Sequence, residues 1–274
     1  MLALKRLYKD GVPGYLALTL EGGLAALVGT GFGMWLFPDE TSIVCVFLAS
    51  ILTIDSIERL LNWNRRAIFE LGYAPGHANV RLVLLILAMF AGTMLGFSAL
   101  TFWLPLETVE QVFSHQLAEY GSQTFPELTF GTPWLLFSSN LYVLLFFFLI
   151  AMPFRQGGVM LAVAWNASVW GATFGILARR WAEAGGPPLL DAYARVMTAT
   201  VPHMTLEAAA FVLAGFAGVF MSKGLLKYSM EDAVLASILG SVARMMGAAL
   251  LLVAVGALWE GWVAGWLVRL LSGG

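Results

Sequence analysis

Long apolar stretches limit what this chain can fold into. A helix crosses the hydrocarbon layer of a membrane with about 20 apolar residues, and backbone polar groups in lipid must be satisfied within the protein. The segments that qualify are 15–37, 42–58, 81–104, 133–153, 158–178, 201–222 and 245–268. The sequence therefore predicts an all-α fold, a polytopic transmembrane helix bundle of about seven spans with interfacial amphipathic helices.

The shortage of charge agrees with this prediction. Of the 274 residues, 59% are apolar and 12% are charged, whereas roughly 25% of the residues of a soluble domain are charged. So little charge would not cover a water-soluble globule, which excludes a soluble enzyme and a disordered chain. The net charge of −2 also excludes a nucleic-acid partner. Because the chain is so apolar, we expect the lipid bilayer to be its partner.

Several segments next to the spans are predicted to lie at the membrane surface. Segment 42–58 is short and ends in charged sequence. The following segment, 56–72, has an apolar face and a basic face, which suits a helix on an anionic leaflet. Residues 233–244 are predicted as a surface helix that leads into the last span. Segments 105–131 and 186–200 are predicted as amphipathic outer segments.

The distribution of Lys and Arg predicts the orientation. An N-terminus inside places ten basic residues of the connections on the cytoplasmic side and four outside, as the positive-inside rule requires. The connection 105–132 carries four Glu and no Lys or Arg, as expected of an external loop. We therefore expect a cytoplasmic N-terminus and an external C-terminus. The pair Arg179–Arg180 is the exception, and a re-entrant segment 179–200 would accommodate it.

Small residues are spaced so that neighbouring helices can approach closely. Glycines four residues apart within spans are Gly29 with Gly33, Gly92 with Gly96 and Gly171 with Gly175. This spacing brings helix backbones together in membranes. It predicts a compact bundle and leaves open a contact between two copies of the chain, which would make the protein a homo-oligomer.

Polar residues of three spans fall at similar depths in the outer part of the membrane. Counted from the span ends, Glu207 lies six residues deep, Asn140 seven and Glu260 eight. His203 is four residues before Glu207, on the same helix face. Because ionisable groups inside a membrane normally face the bundle interior or a partner, we predict that these four residues form an intramembrane polar cluster.

Secondary inner polar positions are Glu21, Asp55 and Asn166. One interpretation pairs Glu21 with Arg59, and Asp55 is interpreted as an interfacial residue. For the main cluster two hypotheses stay open. Its hydrogen bonds hold helices together, or its acidic groups move ions or protons.

Motifs for catalysis are absent from the sequence, which has no phosphate-binding loop and no HExxH. The sequence therefore predicts no enzyme activity, no cofactor and no metal site. His203 and Glu207 would supply two ligands of a metal, but a site would need further ligands from other helices.

The polar positions also resemble the pattern of a known family, the stage II sporulation protein M family. Its pattern has an Asn-bearing span, a Pro-His-Gly-x-x-Glu helix start and a Glu in the last span. Ser139-Asn140, the sequence VPHMTLE at 201–207 and Trp259-Glu260 match these features in order.

The resemblance covers about residues 81–270, and the small-residue stretch 208–218 continues it. There are two departures. Met204 stands where the family usually has Gly, and Ser139 stands where a second Asn is common.

The resemblance implies an integral protein of the plasma membrane. It divides the chain into 1–80, an N-terminal two-span extension with the basic amphipathic segment, and 81–274, a five-span core. It also implies a membrane scaffold that recruits membrane or cell-envelope protein partners, as the named member does with cell-wall hydrolases. The alternative is a small-solute or ion/proton-coupled transporter or channel that uses Glu207 and Glu260.

Overall fold

The computed structural model describes residues 12–118 and 124–272, and within these ranges every regular element is a helix. Most of the helices are long enough to cross a membrane. They are α1 (Val12–Leu36), α2 (Thr41–Phe69), α3 (Pro75–Trp103), α4 (Leu106–Val112), α5 (Pro133–Phe154), α6 (Gln156–Glu183), α7 (Leu189–Lys227) and α8 (Ala233–Ser272). Short 3₁₀ turns occupy Pro38–Glu40 and Phe125–Glu127.

Six of the helices, α1, α3, α5, α6, α7 and α8, are long and apolar enough to span a membrane. This finding confirms the predicted fold class, a helical multi-pass membrane protein. The predicted span 42–58 forms the first part of α2, which is not among the six. The orientation of the chain across the membrane stays a prediction.

Segments expected as surface helices are continuous with their neighbours. The basic segment after residue 56 belongs to α2, residues 189–200 begin α7, and residues 233–244 begin α8. Helices α7 and α8 have 39 and 40 residues, about 60 Å each at the usual helix rise. A change from polar to apolar sequence does not interrupt backbone hydrogen bonding, so the helix continues through it.

Packing divides the described chain into two compact units. One contains the described residues up to 118 together with Ala164–Gly175, and the other contains the rest. In the second unit, α5, α7 and α8 pack on one another, and these three helices carry the predicted cluster. The predicted division of the chain into 1–80 and 81–274 was based on the family resemblance and not on packing. It stays a prediction.

In the first unit α1 packs against α2 and α3, and glycines permit the close approach. A Cβ added at Gly92 of α3 would overlap the carbonyl oxygen of Thr19 in α1. A Cβ at Gly96 would lie 2.7 Å from the carbonyl oxygen of Gly23. The close backbone contact predicted for this glycine pair is therefore confirmed.

Replacing Gly92 with Ala forces the new methyl group against the backbone of α1. We expect the free energy of unfolding to fall by about 1–3 kcal/mol, as in other overpacked cores. The effect would be measured as a lower melting temperature of the purified protein in detergent.

Gly31→Ala is the matched control, because no heavy atom lies within 4 Å of a Cβ at Gly31. Ala is the better helix former, so this variant should melt no lower than the wild type. Equal melting temperatures for Gly92→Ala and Gly31→Ala would contradict the close contact of α1 and α3.

Candidate functional site

Residues of the predicted cluster meet in the second unit, on three helices. Asn140 of α5 donates a hydrogen bond from its amide nitrogen to the Oε1 atom of Glu207 in α7, at 2.7 Å. Glu260 of α8 is close enough to Glu207 for the two carboxyl groups to interact electrostatically. The structure thus brings an amide and two carboxyl groups together where α5, α7 and α8 pack.

Glu207 is deeply buried at this junction, with only 4% of its surface exposed. Gly256 of α8 faces it, and a Cβ there would lie 3.3 Å from Cγ and 3.6 Å from Oε1 of Glu207. A larger residue at position 256 would press on the carboxyl group. The glycine therefore makes room for the acidic side chain between α7 and α8.

Glu260 lies in an unusual part of α8, since Trp259–Ala264 form a π-helix. π-helical segments are rare in proteins and are frequent at functional sites. The π segment contacts both α5 and α7, and a Cβ at Gly261 would lie 2.7 Å from Cγ of Pro133. The change of helix type thus falls where α8 meets both neighbours and carries the second carboxyl group.

His203 lies one turn before Glu207 on α7 and is also buried, with 4% of its surface exposed. Its ring packs edge-to-face on Phe130, with the ring centroids 6.1 Å apart. The Nδ1 atom of His203 is buried and has no hydrogen-bond partner among the described residues, and the same holds for Nε1 of Trp259. A buried polar atom left unpaired costs about 1–3 kcal/mol, so these two atoms mark the cluster as incomplete by itself.

The secondary positions have separate surroundings in the first unit. Glu21 of α1 accepts a hydrogen bond from the hydroxyl of Ser56 in α2. The Asp55 side chain is 82% exposed and lies 3.9 Å from Arg59. Asn166 is buried in α6. Glu21 therefore has a hydroxyl partner rather than Arg59, and Asp55 has the exposure expected of an interfacial residue.

A buried polar network around Ser42 was not predicted from the sequence. The Ser42 hydroxyl donates to Oε1 of Gln116 at 2.6 Å. Nε2 of Gln116 donates to the Ser42 carbonyl at 2.7 Å and to the Ser168 hydroxyl at 3.3 Å. The network joins the start of α2, the turn after α4 and α6. Ser42 and Gln116 are 74 residues apart, so no local pattern indicates their contact.

His115 also contacts this network, with Nδ1 3.1 Å from the Ser42 hydroxyl oxygen. Because that hydroxyl gives its proton to Gln116, the imidazole must donate to it from Nδ1. In a nucleophilic pair the serine instead gives its proton to the histidine. The Ser42–His115 contact is therefore a structural hydrogen bond.

Metal ligands do not gather in the described part of the chain. Within residues 12–118 and 124–272, no three His, Cys, Asp or Glu side chains lie together so as to hold a metal ion. His203 and Glu207 have no third ligand of these types there. A metal site built on His203 and Glu207 therefore has no complete ligand set of these types in these ranges.

Comparison with known proteins found no matching family model, no matching curated protein and no matching solved structure. The helices define the class of this protein, a multi-pass membrane protein. The resemblance to the sporulation protein family stays a prediction.

Removing the amide of Asn140 should weaken the junction of α5 and α7. We expect Asn140→Ala to lower the free energy of unfolding by about 1–3 kcal/mol, because a buried acceptor loses its donor. The measurement is reversible unfolding of the purified protein in mixed detergent micelles.

Ser139→Ala is the matched control, since the Ser139 hydroxyl bonds only to a carbonyl of its own helix. We expect it to change stability by less than about 0.5 kcal/mol. The double variant Asn140→Ala with Glu207→Ala tests the pair, because residues in contact are coupled by about 0.5–3 kcal/mol. Strictly additive effects would contradict the hydrogen bond.

Proposed function

We propose that this protein transports a cation across the membrane and that the Glu207–Glu260 pair is the binding site. The observation that carries the proposal is a buried carboxyl group, bonded to an amide of another helix and within electrostatic reach of a second carboxyl group, in membrane-spanning helices. Like charges repel strongly where water is scarce, and a bound cation removes that repulsion. Acidic residues inside a membrane commonly mark the pathway of an ion.

The geometry of the amide supports this proposal. The hydrogen bond from Asn140 holds one oxygen of Glu207 and leaves the other oxygen for a ligand. Asn140 is seven residues from the start of α5 at Pro133, which is about 10 Å along the helix. The carboxyl pair therefore lies well inside the span, where a transported ion would need polar ligands.

We also propose that the chain is a distant member of the stage II sporulation protein M family, located in the plasma membrane, and that it is not an enzyme. Support comes from the residues that carry the resemblance. Asn140, Glu207 and Glu260 match the family pattern in three separate spans, and the same residues are neighbours in the structure. If the three residues matched the family pattern by chance, there would be no reason for them to be neighbours in the structure.

A second candidate function is a scaffold that recruits other membrane or cell-envelope proteins. The observation that favours it is the basic second half of α2, where Arg59, Arg65 and Arg66 are exposed. Beside it, the guanidinium of Arg81 stacks on the ring of Trp63 at 4.6 Å. An exposed basic surface of this kind suits an acidic protein partner.

Transport is tested with the purified protein in liposomes, with imposed gradients of H⁺, Na⁺ and K⁺ assayed separately. We expect flux of one of these ions above that of empty liposomes, and we expect Glu207→Gln to reduce it at least about tenfold, since the substitution removes the charge. Ion-sensitive dyes inside the liposomes provide the measurement.

Glu231→Gln is the matched control, because Glu231 is an exposed carboxylate in the turn before α8. Its flux should equal that of the wild type. Flux no greater than in empty liposomes, or flux unaffected by Glu207→Gln, would exclude transport through this pair.

The scaffold function predicts a different result. Charge reversal at Arg65 and Arg66 should abolish cross-linking of the protein to its neighbours in cells, because opposite charges would no longer meet. Glu207→Gln should leave that cross-linking unchanged. Loss of cross-linking in Glu207→Gln alone would count against a scaffold that acts through α2.

A further inference from the structure

The side chains around Glu207 do not suit a magnesium or calcium ion. Magnesium and calcium ions take six or more oxygen ligands. Here the structure gathers two carboxyl groups, and one oxygen of Glu207 already accepts the bond from Asn140. A proton needs only one or two oxygen atoms, so a close pair of carboxyl groups is sufficient for it.

His203 supplies a second, independent observation. The side chain is buried, its Nδ1 atom has no partner among the described residues, and it lies on the same helix face as Glu207. The Cβ atoms of residues four apart on one face are about 5–6 Å apart, so the two side chains are neighbours on α7. An imidazole can bind and release a proton at a ring nitrogen.

We propose that the transported cation is a proton and that His203 passes it to and from Glu207. This inference rests on the transport function proposed above. In the transfer, the N–H bond at Nδ1 of the imidazolium breaks and an O–H bond forms on the carboxylate of Glu207. The imidazole becomes neutral and no other reactant is needed. Return of the proton reverses the same two bonds.

The surroundings of the two residues contain few other charges. Helix α5 has no Lys, Arg, Asp, Glu or His, and its one phenol, on Tyr142, is exposed. The segment before α5 carries Glu127, whose carboxylate accepts hydrogen bonds from Thr124. Glu260 is the acidic group of α8 that faces the site.

The remaining charged groups of α7 and α8 are distant along these helices. They are Asp191, Arg195, Lys223, Lys227, Arg244 and Arg269. Arg195 is eight residues from His203, about 12 Å along α7, and it binds Asp191 at 2.9 Å and the Leu271 carbonyl at 2.9 Å. Arg244 binds the Ser241 hydroxyl at 2.9 Å. A proton that enters from His203 therefore meets Glu207 and Glu260 before any fixed basic group on these helices.

The test measures H⁺, Na⁺ and K⁺ flux in liposomes for the wild type and for variants at position 203. We expect His203→Gln to lower the proton flux at least about 100-fold, the usual effect of losing a positioned proton donor. We expect His203→Ala to be partly restored by imidazole added to the buffer, because free imidazole can carry the proton. Imidazole should not restore Glu207→Gln, which still lacks the acceptor. This rescue separates a proton carrier from a side chain that merely fills space.

His77→Gln is the matched control, since His77 is exposed at the start of α3, and its proton flux should equal that of the wild type. Melting temperatures check that each variant is folded, and the imidazole rescue of His203→Ala keeps the test decisive if His203→Gln is unstable.

Three results would overturn the inference, and they are distinguishable. Flux of Na⁺ or K⁺ that depends on Glu207, without proton flux, would exclude the proton and leave the transport function in place. Proton flux that depends on Glu207 but is unchanged in His203→Gln and His203→Ala would exclude the role of His203. Absence of any ion flux would exclude the transport function itself.

Discussion

The scarcity of water in a membrane governs this structure, because polar atoms there must find partners within the protein. Hydroxyl groups in the spans bond to carbonyl oxygens of their own helices, as Thr30 does to Ala26 at 2.8 Å and Thr93 to Met89 at 2.9 Å. The buried carboxyl group of Glu207 and the carboxyl group of Glu21 have partners on other helices. The hydroxyl of Ser56 donates a hydrogen bond to Glu21, and the amide of Asn140 donates one to Glu207. Against this background, Nδ1 of His203 and Nε1 of Trp259 stand out as buried polar atoms of the second unit that have no partner among the described residues.

Two features of α8, Gly256 and the π segment, lie beside the polar site. Gly256 allows α7 to carry a buried carboxyl group against α8 without displacing that helix. A few residues later the π segment changes the direction of successive side chains and carries Glu260. Both features weaken regular helix packing, and both occur beside the same acidic pair. A small residue and a change of helix type thus both lie beside the acidic pair.

The shared level of polar residues on neighbouring helices was predictable from the sequence because the rise of a helix is nearly constant. Counting residues from the span ends placed Asn140, Glu207 and Glu260 at one level, and the contacts among them agree with that count. The ends of helices were less predictable. Charged sequence indicated surface helices before the last two spans, whereas backbone hydrogen bonding carries α7 and α8 through those segments without a break.

The sequence alone determined that the chain is a helical multi-pass membrane protein, and it predicted that Asn140, Glu207 and Glu260 share one level, since hydrophobic length and helix rise are local properties. Only the tertiary structure decided which residues meet. Asn140 and Glu207 are 67 residues apart, and Ser42 reaches Gln116 across 74. The π-helix at Glu260 was also seen only in the tertiary structure, where this segment contacts α5 and α7. Such contacts depend on how the helices rotate and pack against one another. The spacing of residues along one helix does not indicate that rotation or packing.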